Sequence, residues 1–161
     1  YTIFGLVYAT VPFCFFYALA FSDGQYSFHY PLGFILMLWS SDTGAYVFGI
    51  TLGKNRLFER HSPKKSWEGF AGGLICSILT AFILSIYFTE LSQIHWLLIG
   101  AIIASAGTLG DLSESMLKRS LSTKDSGSFL PGHGGFLDRF DGLLLAAPLV
   151  FVYLHAITII F

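Results

Sequence analysis

Four cations, three carboxylates and a glycine-rich turn crowd into residues 115–141, SMLKRSLSTKDSGSFLPGHGGFLDRFD. The cations are Lys118, Arg119, Lys124 and Arg139; the carboxylates are Asp125, Asp138 and Asp141. Cations and carboxylates together suit a metal-bound polyphosphate, the cations pairing with phosphate oxygens and the carboxylates holding the metal. The turn Pro131-Gly132-His133-Gly134-Gly135 allows close backbone approach to a ligand. Its N–H groups could form an anion nest, and His133 could touch phosphate or base. An ordinary glycine-rich turn is the plainer reading. Neither a P-loop nor a GxGxxG fingerprint occurs in the chain.

Just upstream, Asp111, Glu114, Ser115 and Lys118 are spaced i, i+3, i+4, i+7, so a helix puts all four on one face. Such a stripe faces either water, as a solvated helix end, or a buried site. Asp111 favours the site, because a carboxylate close to hydrocarbon is costly and usually functional. Asp138 and Asp141, three apart, share a first turn if the last helix begins near Leu137, where the helix dipole stabilises anions. Asp111 with Asp138 could then clamp one or two cations. Alternatively, Asp138 is an N-cap and Asp141 pairs with Arg139 or Lys118.

Two further groups stand out. Asp42, in Ser41-Asp42-Thr43-Gly44-Ala45-Tyr46, falls midway through an apolar segment. It marks a polar, substrate-side cavity or, alternatively, an interhelical hydrogen bond to Ser or Thr. The segment SPKKSWEG at 62–69 offers Lys64 and Lys65 as phosphate contacts, with Trp67 as a contact or an interfacial anchor. Lys54, Arg56 and Arg60 add to a basic surface that attracts anionic headgroups at about 1 kcal/mol per cation.

The elements that must position these residues are membrane helices. The 161 residues are 54% hydrophobic and 12% charged, with mean hydropathy +0.67; globular domains carry about 25% charged residues. Five segments approach the ~20 apolar residues a crossing needs: 1–21, with Pro12 inside; 30–53; 69–89; 94–109, with a polar extension to 119; and 142–161. All nine Lys and Arg fall in 54–68 or 110–141, and none in 22–29 or 90–93. Five crossings put both basic regions on one face, which the positive-inside rule makes cytoplasmic. Cys14 and Cys76 lie in apolar runs without metal-ligand spacing and are expected to be packing residues. The expected fold is an all-α integral membrane protein: a bundle of about five transmembrane helices with cytoplasmic catalytic loops, 1–161 forming a single membrane domain.

The order Ser115-x-x-Lys118-Arg119, Lys124-Asp125-x-Gly127, Leu130-Pro131-x-His133-Gly134-Gly135, Asp138-Arg139-x-Asp141 resembles the signature of the phosphatidate cytidylyltransferase (CDP-diacylglycerol synthase) family. SPKKSWEG and the Asp42-x-x-Ala45-Tyr46 segment resemble further family segments, so the motif resemblance covers about residues 40–141. The resemblance implies CMP transfer from CTP to phosphatidate, giving CDP-diacylglycerol and pyrophosphate. It implies Mg²⁺, with a second cation left open, on Asp111, Asp138 and Asp141. Lys118, Arg119, Lys124, Asp125 and Arg139 are then expected to be catalytic. Lys64, Lys65, Ser115, His133, Gly134, Gly135 and Asp42 are expected on the substrates. It also implies a homodimer in a bacterial inner (cell) membrane, with no nucleic-acid partner and with this chain as the C-terminal part of a longer polytopic enzyme. Two alternatives remain: a CTP-dependent transferase acting on another lipid phosphate, and an ion-coupled transporter using Asp42 and Asp111.

Overall fold

The computed structural model describes residues 2–22, 24–58, 62–120 and 140–160. Five helices dominate: α1 (Thr2–Leu19), α2 (His29–Leu52), α3 (Trp67–Tyr87), α4 (Gln93–Ser120) and α5 (Asp141–Ile160). The protein is an all-α membrane bundle, with one addition that apolar periodicity does not announce. The stretch after α2, expected as a plain loop, forms an antiparallel hairpin of β1 (Arg56–Phe58) and β2 (Ser62–Ser66). Its register pairs Arg56 with Ser66 and Phe58 with Ser62, with an irregularity between them.

Helices α2, α3 and α4 are long and apolar enough to cross a membrane; the apolar cores of α1 and α5 are shorter. The 24 residues of α2 rise about 36 Å, against a hydrocarbon thickness of ~30 Å. Large apolar side chains also cover the outside, among them Leu79, Ile83 and Ile86 on α3 and Val152 on α5. A helix apolar all round suits lipid rather than water. Inside, Phe34 and Met37 of α2, Trp96 and Ile103 of α4, and Ala147 and Val150 of α5 form one buried cluster.

Small residues set the helix spacing. On α3, a Cβ at Gly73 would lie 2.8 Å from the Ser41 carbonyl oxygen, and one at Gly69 2.8 Å from that of Ala45. From the α2 side, a Cβ at Gly44 would lie 2.7 Å from Cys76 Sγ. These contacts let the two backbones approach as small-residue interfaces do in membranes. Hydroxyls reinforce the packing: Ser40 Oγ donates to the Cys76 carbonyl at 3.0 Å, and Ser77 Oγ to that of Gly100 at 2.9 Å. Asp42, two residues from Ser40, lines a cavity.

The chain alternates direction, so the α2 and α4 C-termini meet the α3 and α5 N-termini at one end, beside the hairpin. The opposite end brings the His29 ring against the Glu90 carboxylate and holds a 2.7 Å contact between His95 Nδ1 and the Tyr153 hydroxyl.

Gly73→Val should lower the thermal unfolding midpoint in detergent, since overpacking a tight contact costs about 1–3 kcal/mol. Gly5→Ala, with nothing within 4 Å of the new methyl, should not lower it. Equal midpoints for Gly73→Val and the parent would refute the packing role given to Gly73.

Candidate functional site

The site begins with how α3 starts. Ser66 caps the helix, its Oγ accepting from the Gly69 N–H at 3.1 Å. Two residues on, the Glu68 carboxylate accepts from the backbone N–H of Lys54 and of Asn55, each at 3.2 Å, and from Asn55 Nδ2 at 2.7 Å. The Trp67 N–H donates to the Asn55 carbonyl at 3.0 Å. The SPKKSWEG segment thus caps α3 and fastens the hairpin to it. Lys64 and Lys65, on β2, are held at the bundle end.

There they meet three carboxylates from three helices. Asp42 of α2, Asp111 of α4 and Asp141, the first residue of α5, line one cavity of about 360 Å³ with Lys64 and Lys65. Lys65 Nζ lies 2.5 Å from Asp111 Oδ2 and donates to the Thr108 carbonyl at 3.4 Å. Ser115 Oγ donates to Asp111 Oδ1 at 3.3 Å, so both Asp111 oxygens are engaged. Asp141 Oδ1 accepts from the N–H of Gly142 at 2.7 Å. The carboxylates repel one another: Asp42 feels Asp111, and Asp141 feels Asp111, Glu114 and Asp42. Lys65 opposes that repulsion at Asp42 as well as at Asp111.

Glycine brings α4 and α5 close enough for this. A Cβ at Gly110 would lie 2.5 Å from the Asp141 carbonyl oxygen, and one at Gly142 3.6 Å from the Gly107 Cα. Any side chain at Gly110 would push Asp141 away from Asp111.

The sequence-expected residues divide as follows. Asp42, Lys64, Lys65, Asp111 and Asp141 line the cavity, and Ser115 touches it through Asp111. Lys118 and Arg119 lie in the last turn of α4. Lys118 faces Glu114 at 3.5 Å, while Arg119 is exposed. Lys124, Asp125, His133, Gly134, Gly135, Asp138 and Arg139 lie outside the described residues, so the Asp111–Asp138 clamp has no geometry here. The helix as described begins at Asp141 rather than near Leu137. Asp42, read from sequence as a substrate contact, is within the electrostatic reach of Asp111 and Asp141, so three helices supply carboxylates.

Glu114 is the residue whose importance the sequence understated. It is 1% exposed, the only buried acidic side chain among the described residues. It shares the polar face with Lys118 but points into the bundle, where its charge reaches Tyr8 of α1 and Asp141. The signal was the i, i+3 spacing from Asp111, which fixes the face without saying how deeply it is covered.

Carboxylates and lysines sharing a small cavity at the end of apolar helices suit a phosphate-bearing substrate. The family model described as the cytidylyltransferase family matches residues 1–157. The chain belongs to the cytidylyltransferase family. Among similar members, the phosphatidate cytidylyltransferase of Staphylococcus haemolyticus (strain JCSC1435) is 44% identical over 151 residues. That match covers 92% of this chain and 56% of the relative. The phosphatidate cytidylyltransferase of Staphylococcus aureus (strain COL) matches with the same identity and coverage. That of Staphylococcus saprophyticus is 48% identical over 128 residues, 78% of this chain and 49% of the relative. The chain therefore spans about half the length of these relatives.

Glu68→Ala should release the hairpin from α3. The Lys54 and Asn55 amides should then exchange with deuterium faster than in the parent, while the amides in the middle of α3 keep their protection. Unchanged exchange at Lys54 and Asn55 would show that the hairpin is held by something other than Glu68.

Proposed function

We propose that the protein transfers CMP from CTP to phosphatidate, giving CDP-diacylglycerol and pyrophosphate, at the cytoplasmic face of a bacterial inner membrane. The observation that carries this reading is the convergence of Asp42, Asp111 and Asp141 with Lys64 and Lys65 on one cavity at the helix ends. One substrate is a membrane lipid and the other a cytosolic nucleotide, so the reaction needs a polar site at that boundary. The clustering of all nine Lys and Arg in two regions supports the cytoplasmic side.

In the reaction, a phosphate oxygen of phosphatidate attacks the α-phosphorus of CTP. A new P–O–P bond forms, the bond from the α-phosphorus to the bridging oxygen breaks, and pyrophosphate leaves with that electron pair. The nucleophile is already anionic and needs little help from a base. The harder task is to bring two anions together. Lys64 and Lys65 lower that repulsion at the cavity wall, and Ser115 orients Asp111 through its hydroxyl. Lys118 and Arg119, in the last turn of α4, and Lys124, Asp125 and Arg139, outside the described residues, are assigned to the catalytic charge that the leaving group requires. His133, Gly134 and Gly135, also outside the described residues, are assigned to substrate binding.

Among the described residues, no three His, Cys, Asp or Glu side chains form a ready-made metal cage. The donor set nevertheless suits Mg²⁺, which takes one or two carboxylates and completes its shell with water and substrate phosphate. Asp111, Asp141 and Asp138 would hold it, and when bound it neutralises charge on the phosphate oxygens. Asp42 stands in the same negative field and belongs with this group as much as with the substrate contacts. A homodimer is the proposed assembly.

The test is CDP-diacylglycerol formation by the full-length, detergent-solubilised protein with CTP, phosphatidate and Mg²⁺. Asp111→Asn and Asp141→Asn should each lower kcat about 10²–10³-fold, the range seen when a preorganised electrostatic contact to a transition state is removed. Chelating Mg²⁺ should abolish turnover, and restoring it should recover the parent but neither variant. A parent without CTP-dependent product would overturn the reading.

A further inference from the structure

A second cavity, about 220 Å³, lies against the first and shares Leu57, Phe70 and Thr108 with it. Its character is opposite. Phe58 of β1, Trp67 of α3, and Leu109 and Leu112 of α4 give it an almost wholly apolar lining. Its place is also particular. Trp67 begins α3, and Leu109 and Leu112 flank Asp111, so the apolar cavity sits at the same bundle end as the charged one. Phe58, Trp67 and Leu109 are each about half exposed, so the cavity opens outward rather than into the bundle core.

Resting on the function proposed above, we infer that this apolar cavity seats the first carbons of an acyl chain of the lipid substrate while its phosphate occupies the charged cavity. A lipid phosphate carries an anionic head and an apolar chain joined by a short glycerol link. The two cavities present a matching pair of surfaces with a common wall. Lys64 and Lys65 suit the head. Phe58, Trp67 and Leu109 suit the methylenes, whose transfer from water is favourable by about 0.8 kcal/mol each. The volume is roughly that of seven water molecules. It takes the start of a chain, and the remainder runs on into the bilayer. The hairpin is then a positioning device: Leu57 and Phe58 of β1 guide the chain, while Lys64 and Lys65 of β2 face the head.

The probe is a phosphatidate carrying a photoreactive diazirine on the fifth carbon of one acyl chain, compared with an analogue carrying it on the terminal carbon. Each is irradiated with the full-length protein in phosphatidylcholine vesicles, and labelled peptides are identified by mass spectrometry. The fifth-carbon probe should label residues 57–58 or 105–112, and excess unlabelled phosphatidate should compete while added phosphatidylcholine should not. The terminal-carbon probe should label the outer faces of the helices. Leu109→Trp, which fills the cavity from its exposed side, should cut the fifth-carbon labelling and raise the KM for phosphatidate about tenfold, leaving the KM for CTP unchanged. Fifth-carbon labelling elsewhere, or labelling competed equally by phosphatidylcholine, would overturn the inference even if the parent makes CDP-diacylglycerol. Competed labelling at 57–58 or 105–112 without any turnover would uphold the lipid seat while sinking the proposed reaction.

Discussion

Repulsion among Asp42, Asp111 and Asp141 is the constraint around which this end of the bundle is organised. Each carboxylate sits at the edge of an apolar helix bundle, where water screens charge poorly and like charges interact strongly. Lys65 answers part of that repulsion through its contact with Asp111. The rest is held down by packing elsewhere. Contact between α2 and α3 fixes the helix bearing Asp42, and the approach of Gly110 to the Asp141 backbone fixes the start of α5. Three carboxylates on one cavity wall, only partly offset by Lys64 and Lys65, suit a positively charged guest.

The glycines that permit this are distributed with purpose. Gly69 and Gly73 on α3 face Ala45 and Ser41 on α2, one residue either side of the turn that carries Asp42. Gly107 and Gly110 on α4 face Gly142 and Asp141 on α5. In water such contacts would be filled by apolar side chains driven inward by the hydrophobic effect. In lipid that driving force between helices is absent, and close van der Waals contact with interhelical hydrogen bonds takes its place. The contacts made by Ser40 and Ser77 belong to the same economy.

Much of this was legible in the chain because lipid imposes a coarse and simple code. Runs of about 20 apolar residues name the helices, and the distribution of Lys and Arg names the end that gathers the polar groups. Five alternating crossings put loop 54–68 on the same face as the end of α4; the pairing of Lys65 with Asp111 there was not legible from the count. The hairpin was less legible. Its strands are three and five residues long, too short for alternation to register, and Ser62-Pro63-Lys64-Lys65-Ser66 offers no large apolar residue to alternate. Its pairing is anchored from outside by Glu68, whose bonds to Lys54 and Asn55 span 13 to 14 residues. Glu114 was half legible. Its spacing gave the face, but not that the side chain is buried there. Asp42, read as an alternative between cavity and helix contact, lines the cavity.

The hairpin also changes how the lysines should be understood. A basic loop beside a membrane would attract anionic lipid wherever it sat, with each cation acting alone and screened by salt within about 8 Å. Fastening the strand to the start of α3 through Ser66, Trp67 and Glu68 makes Lys64 and Lys65 part of a cavity wall. The same fastening puts Leu57 on the boundary shared by the charged and apolar cavities. Attraction to a surface needs only charge; selection of a molecule that is anionic at one end and apolar at the other needs both surfaces at a fixed separation. Two short strands are the least structure that can hold both, because a strand pair fixes the spacing of its side chains where a loop does not.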